Sequence, residues 1–218
     1  MPIISVLNPK GGCGKTTLTT NLARAFHEKG ERVLVVDTDP QGSARDWHAA
    51  QEDNPIDVVA LDRPENLKTL DTLAKSYDTV LIDGTAKHTQ SLSAAIKPAD
   101  AVLIPVQPSP YDLWAVTDLV ELIKERQEMR DGKPLAAFVV TRAVSGTTLG
   151  KDITTALADL ALPTIGKPIV QRQVYPQTAA EGFTVFDSAN ADAKAEMAAL
   201  AGEIIQMMHH QDGRKLWA

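Results

Sequence analysis

An apolar run, Ile3-Ile-Ser-Val-Leu7, leads directly into Lys10-Gly-Gly-Cys-Gly-Lys-Thr-Thr17, and that segment opens a stretch with helical periodicity. A turn this rich in glycine between a strand and a helix constrains the fold strongly. Glycines allow successive backbone N–H groups to point inward, the following helix adds its N-terminal partial positive charge, and the ligand suited to both is a phosphate. In such a loop Lys15 is expected to reach the β- and γ-phosphates and the Thr16 hydroxyl to hold Mg²⁺, while Gly11, Gly12, Cys13, Gly14 and Thr17 complete the cradle. The common version of the loop has glycine where this chain has Pro9, and a second lysine, Lys10, follows it. A dinucleotide-binding turn does not fit, because Lys15, Thr16 and Thr17 occupy the end of the Gly-x-Gly-x-x-Gly frame. No histidine is placed to activate Cys13, so its backbone N–H is its expected contribution.

Short β-branched runs recur down the chain: Arg32–Asp37, Ile56–Leu61, Thr79–Asp83, Ala101–Val106 and Ala136–Thr141, with helical patterns between them. Strands alternating with helices predict an α/β, doubly wound, mostly parallel sheet with helices on both faces. Helices are expected over Thr16–Lys29, Leu113–Met129 and about Asp192–His209. At 218 residues and 44% apolar content, a single domain spanning 1–218 is expected. One cysteine forms no internal disulfide, and the N-terminus lacks the basic start and long apolar core of a signal peptide, which places the expected site of action in the cytoplasm. No apolar run approaches the roughly 20 residues needed to cross a bilayer. The net charge of −6 argues against a uniformly basic nucleic-acid binder and leaves room for a local basic patch.

In a parallel sheet, ligands sit beyond the carboxyl ends of the strands, so the residues that end strands carry the information. One run ends Asp37-Thr-Asp39-Pro-Gln, and another ends Leu81-Ile-Asp83-Gly. Carboxylates converging there with the loop suit a Mg²⁺–triphosphate. Asp83 is expected to hold Mg²⁺ directly or through water, Asp37 to support the metal from behind, and Asp39 to orient an attacking water.

Residues 10–17 resemble the deviant phosphate loop of the ParA/MinD branch of P-loop ATPases, Lys-Gly-Gly-x-Gly-Lys-Thr-Thr. The resemblance extends to Asp37–Gly42, Asp83-Gly84 and Ile104–Pro110. Val140-Thr-Arg142 and Gln171-Arg-Gln-Val-Tyr175 are similar to the small plasmid-partition ParA proteins that lack an N-terminal DNA-binding domain. The resemblance implies ATP hydrolysis to ADP and phosphate, with Lys10, Lys15 and Asp39 catalytic, ATP and Mg²⁺ as cofactors, and Thr141 and Arg142 beside the nucleotide. It also implies a nucleotide-sandwich homodimer in which Lys10 crosses to the partner's triphosphate, an ammonium on a long stem being suited to neutralise developing phosphate charge.

The family further implies non-specific DNA binding by the ATP dimer, association with the nucleoid, and release by a ParB-like or other centromere-binding adaptor. Arg172 is the foremost candidate DNA contact, with Lys151, Lys167 and Lys194 behind it and Arg142 shared between DNA and the nucleotide base. Two other cargo readings stay open: a ParA-like positioning ATPase for a protein cargo, and a MinD-like membrane-associated division regulator using Ile204, Ile205, Met207 and Met208. That apolar spacing equally describes a terminal helix packed on the sheet, and no membrane partner is expected. Lys87 and His88 depart from the family's usual small or apolar residues at this place, and Trp217 offers a further contact near the end of the chain.

Overall fold

In the computed structural model the described residues are 1–85, 89–145 and 149–212, without the side chains at 149–152, 154 and 210–212. All six apolar runs form strands: β1 (Ile3–Val6), β2 (Val33–Asp37), β3 (Asp57–Ala60), β4 (Thr79–Asp83), β5 (Ala101–Val106) and β6 (Leu135–Val140). They make one parallel sheet in the order β3-β2-β4-β1-β5-β6. β1, β2, β4 and β5 are buried at every residue, which explains why their sequences are continuous apolar runs instead of alternating ones. β3 lies at the edge, and its polar Asp57 is exposed there.

The period of two along each strand divides the core between the two faces. Leu34, Val36, Val80, Ile82, Val102, Ile104 and Phe138 belong to one cluster, whereas Ile4, Val6, Val33, Val35, Leu81, Leu103 and Val139 belong to the other. The first face is covered by α3 (Leu70–Leu73), α4 (Thr89–Ile96), α6 (Thr117–Glu128) and α7 (Leu149–Ala158); the second by α1 (Lys15–His27), α2 (Ser43–Ala49), α8 (Val174–Ala180) and α9 (Ala191–Asp212).

A single helix was expected over Leu113–Met129. Two are present, α5 (Pro110–Ala115) and α6, because Val116 (φ −94°, ψ −5°) turns the chain, with only a long Val116 N–H to Leu113 O bond of 3.4 Å, and buries its side chain completely. The terminal helix runs three residues beyond its expected end at His209. Its apolar stripe packs on the sheet, with Ile204 fully buried and Ile205, Met207 and Met208 against the same core. Among the described residues no helix is long and apolar enough to cross a membrane.

The topology positions the site. From β1 the chain crosses to β2 on one side, and from β5 it crosses to β6 on the other, so the connections leaving neighbouring strands part company at their carboxyl ends. A crevice forms where that happens.

Candidate nucleotide site

The glycine-rich loop fills this crevice. Gly12 (φ +76°) and Gly14 (φ +93°) adopt the left-handed backbone that other residues take at a cost, and Gly14 caps α1. Three long-range bonds fasten the loop from below. Asn8 Nδ2 donates to Pro105 O at 2.6 Å while its Oδ1 accepts from Lys10 N–H at 2.7 Å. Gln107 Nε2 donates to Gly12 O at 2.9 Å, and the Thr141 hydroxyl donates to Cys13 O at 2.8 Å. The ends of β1, β5 and β6 thus hold the loop rigidly enough to present its N–H groups to a phosphate.

Lys15 is buried at 8% exposure, and its Nζ donates to Lys10 O at 3.0 Å, which lays the ammonium across the mouth of the loop. Cys13 is fully buried; burial, more than any neighbouring charge, pushes its thiol up and keeps it neutral. The Thr16 hydroxyl donates to Asp83 Oδ2 at 2.7 Å and the Thr19 hydroxyl to Asp83 Oδ1 at 3.3 Å. Asp83 is almost wholly buried at the end of β4, and burial first, then the nearby Asp37 charge, raises its carboxyl to about 7 against the pull of Thr16 and Lys15.

Asp37, at the end of β2, lies in register with Asp83. Its carboxylate accepts from Asp39 N–H at 3.0 Å and from Arg45 N–H at 3.1 Å, and pairs with Arg45 Nε at 3.3 Å. The half-buried Asp39 is shaped by these bonds, and its Oδ1 accepts from Gln41 N–H at 3.0 Å.

Lys10 meets a partner that the sequence did not signal. Its Nζ pairs with Asp112 on α5, a carboxylate with 1% of its side chain exposed, 102 residues away. Nothing local marks Asp112, which reads as an ordinary acid in a first helical turn. Asn8, Thr19 and Gln107 carry no local signal for the same reason: their partners become neighbours only when strands align.

Beside the loop opens a pocket of about 210 Å³, with Gly14, Thr17, Thr141, Arg142 and Tyr175 in its lining. Arg142 is exposed and holds a left-handed backbone (φ +51°). Arg172 borders the same pocket, with its guanidinium engaged fork to fork by Glu196: Nη1 to Oε2 at 2.6 Å and Nη2 to Oε1 at 2.7 Å. A surface phosphate would have to compete with that pair for the foremost expected DNA contact. Lys167 is exposed and Lys194 half-buried. The side chain of Lys151 lies outside the described residues, as do Lys87, His88 and Trp217.

Residues 4–185 match the CobQ/CobB/MinD/ParA nucleotide binding domain. The chain is 32% identical over 187 residues to the Maintenance of carboxysome distribution protein A of Halothiobacillus neapolitanus, covering 84% of this chain and 86% of that protein. It is also 32% identical over 182 residues to Protein ParA of Rhizobium radiobacter, covering 80% and 81% respectively. Its fold matches that of cobyrinic acid a,c-diamide synthase from Mycobacterium smegmatis, solved with a bound ATP analog and magnesium, at a TM-score of 0.79 with 22% identity over 99% of this chain and 98% of that one.

Proposed function

The chain belongs to the CobQ/CobB/MinD/ParA nucleotide-binding domain family, and from that premise we propose that it is an ATPase of DNA partition, dimerising on ATP and holding DNA without sequence preference. The observation that carries this reading is the placement of Lys10. It stands on the rim of the phosphate loop, half-buried, beyond the buried Lys15 that serves the loop itself. A second ammonium at that rim suits a triphosphate presented by another copy of the chain.

The donor set fits Mg²⁺. Among the described residues no group of three or more His, Cys, Asp or Glu is placed to hold a metal, and Thr16 and Asp83 instead offer adjoining hard oxygens beside the loop. Thr16 and Asp83 would hold the ion with phosphate oxygens, and Asp37 would support them from behind. Bound there, Mg²⁺ supplies charge neutralisation on the phosphates.

Lys15 leaves the Lys10 carbonyl for the phosphates, and the inward N–H groups of residues 11–16 fix them. Asp39, steadied by Asp37 and Arg45, orients the attacking water and draws on its proton as a weak base. Lys10 of the second copy offsets charge spreading onto the γ-phosphate oxygens.

The test is binding to long non-specific duplex DNA with ATP, with ADP and without nucleotide, at two salt concentrations. Binding confined to ATP and weakened by salt supports the reading; ATP-driven dimers without DNA binding overturn its DNA half. The likeness to the Halothiobacillus neapolitanus protein favours a second reading, in which the same ATPase positions a protein body. Co-purification with a DNA-site-binding adaptor separates partition from that alternative.

A further inference from the structure

Exposed large apolar side chains are few among the described residues, and three of the six, Tyr111, Trp114 and Val144, lie just beyond the carboxyl ends of the neighbouring strands β5 and β6. This is the rim that carries the phosphate loop. Tyr111 and Trp114 are 69% and 68% exposed, yet they form an ordered edge-to-face pair with ring centroids 5.5 Å apart and planes at 85°. Two large aromatics packed on each other and left in water are side chains of the kind whose burial dominates protein–protein contacts.

The short helix that presents them is tied to the nucleotide loop. Asp112, between the two rings in sequence, is buried and pairs with Lys10; its Oδ1 also accepts from Gln107 N–H at 3.4 Å, and Gln107 grips Gly12 O. A partner that covers the aromatic pair bears on the helix that holds Lys10, so the occupant has to suit both the rings and the Lys10 rim. A second copy of this chain satisfies both requirements at once, because a two-fold axis sets patch against patch while each Lys10 faces the other copy's loop.

Resting on the ATP-dimer reading, we infer that Tyr111 and Trp114 form the apolar anchor by which a second copy docks over the nucleotide site. Contact at α5 then acts on the Lys10–Asp112 pair that holds Lys10 within its own subunit.

The experiment measures mass by sedimentation with Mg²⁺ and a slowly hydrolysed ATP analog, comparing the wild type with Tyr111→Ala/Trp114→Ala and with Met129→Ala, an exposed apolar control at the end of α6. The double variant should dimerise at least about tenfold more weakly, as expected for loss of a hot-spot pair. It should bind the analog as a monomer within about twofold of wild type, and Met129→Ala should dimerise normally. A second readout uses the Trp217→Phe protein, in which Trp47 is buried and Trp114 is exposed: acrylamide quenching should fall when the analog is added. Normal dimerisation of the double variant, or unchanged quenching in a dimer that forms, overturns the anchor and points to a different protein as the occupant of this patch. A wild type that stays monomeric with ATP analog overturns the dimer reading itself, and the anchor with it.

Discussion

Asp83 carries an unfavourable charge in the middle of a sheet. Burial holds its carboxyl at about 7, well above the ordinary 3.8. A folded-state value above the unfolded one means that the folded protein retains a proton that the unfolded chain has released. The associated stability is therefore fully present below about pH 4 and is lost as pH rises through 7. In EDTA, urea midpoints should fall across that window, and Asp83→Asn should flatten the fall while abolishing Mg²⁺-dependent turnover. Lys15→Gln removes charge-assisted contacts of about 1.5–3 kcal/mol, so ATP affinity should drop roughly ten- to hundredfold in a fluorescent-nucleotide titration. Asp39→Ala should retain ATP binding, lose about a hundredfold or more in hydrolysis, and accumulate the ATP dimer; ordinary turnover would remove its role as water-orienting base. The candidate residues Lys15, Thr16, Asp37, Asp39 and Asp83 were legible because their chemistry is local: a loop between a strand and a helix, and acids at strand ends. Asp112 was not, because its meaning depends on a lysine 102 residues away.

At the scale of elements, two glycines make opposite predictions. Gly182 has φ +75°, and a Cβ there would lie 2.6 Å from Gln51 Cβ and 2.8 Å from Gln51 N, against the end of α2. Gly182→Ala should cost on the order of 2 kcal/mol or more and lower the melting temperature visibly. Gly202 lies inside α9 with nothing within 4 Å of an added Cβ, and Gly202→Ala should stabilise by about 0.5–1 kcal/mol. The same contrast between local and distant causes explains the break at Val116. Helical periodicity through Leu113–Met129 is genuine on both sides of it, but the two halves answer to different neighbours. α5 is held by Asp112 to the phosphate loop, whereas Leu119, Val120 and Ile123 of α6 pack on the sheet. A periodic pattern records which residues want burial; it does not record that two parts of one run are buried against different surfaces.

For the whole molecule, the net charge of −6 confines the proposed DNA binding to one face of the chain. Affinity for long duplex should then fall steeply between low and physiological salt, with a slope of about −0.9 for each phosphate neutralised. Glu196→Gln should loosen Arg172 from its fork; stronger DNA binding in that variant would return Arg172 to the DNA face, while unchanged binding would leave it as a tie between α9 and the pocket wall. By itself the sequence determined the parallel α/β sheet, its strand segments and the phosphate loop, because strand burial on both faces and a glycine turn before a helix are written in short windows. Tertiary structure alone decided which charges are free and which are spent. Arg172 belongs to Glu196 and Lys10 to Asp112. Coulombic pairing depends on distance in space, and strand order, which no short window contains, sets that distance.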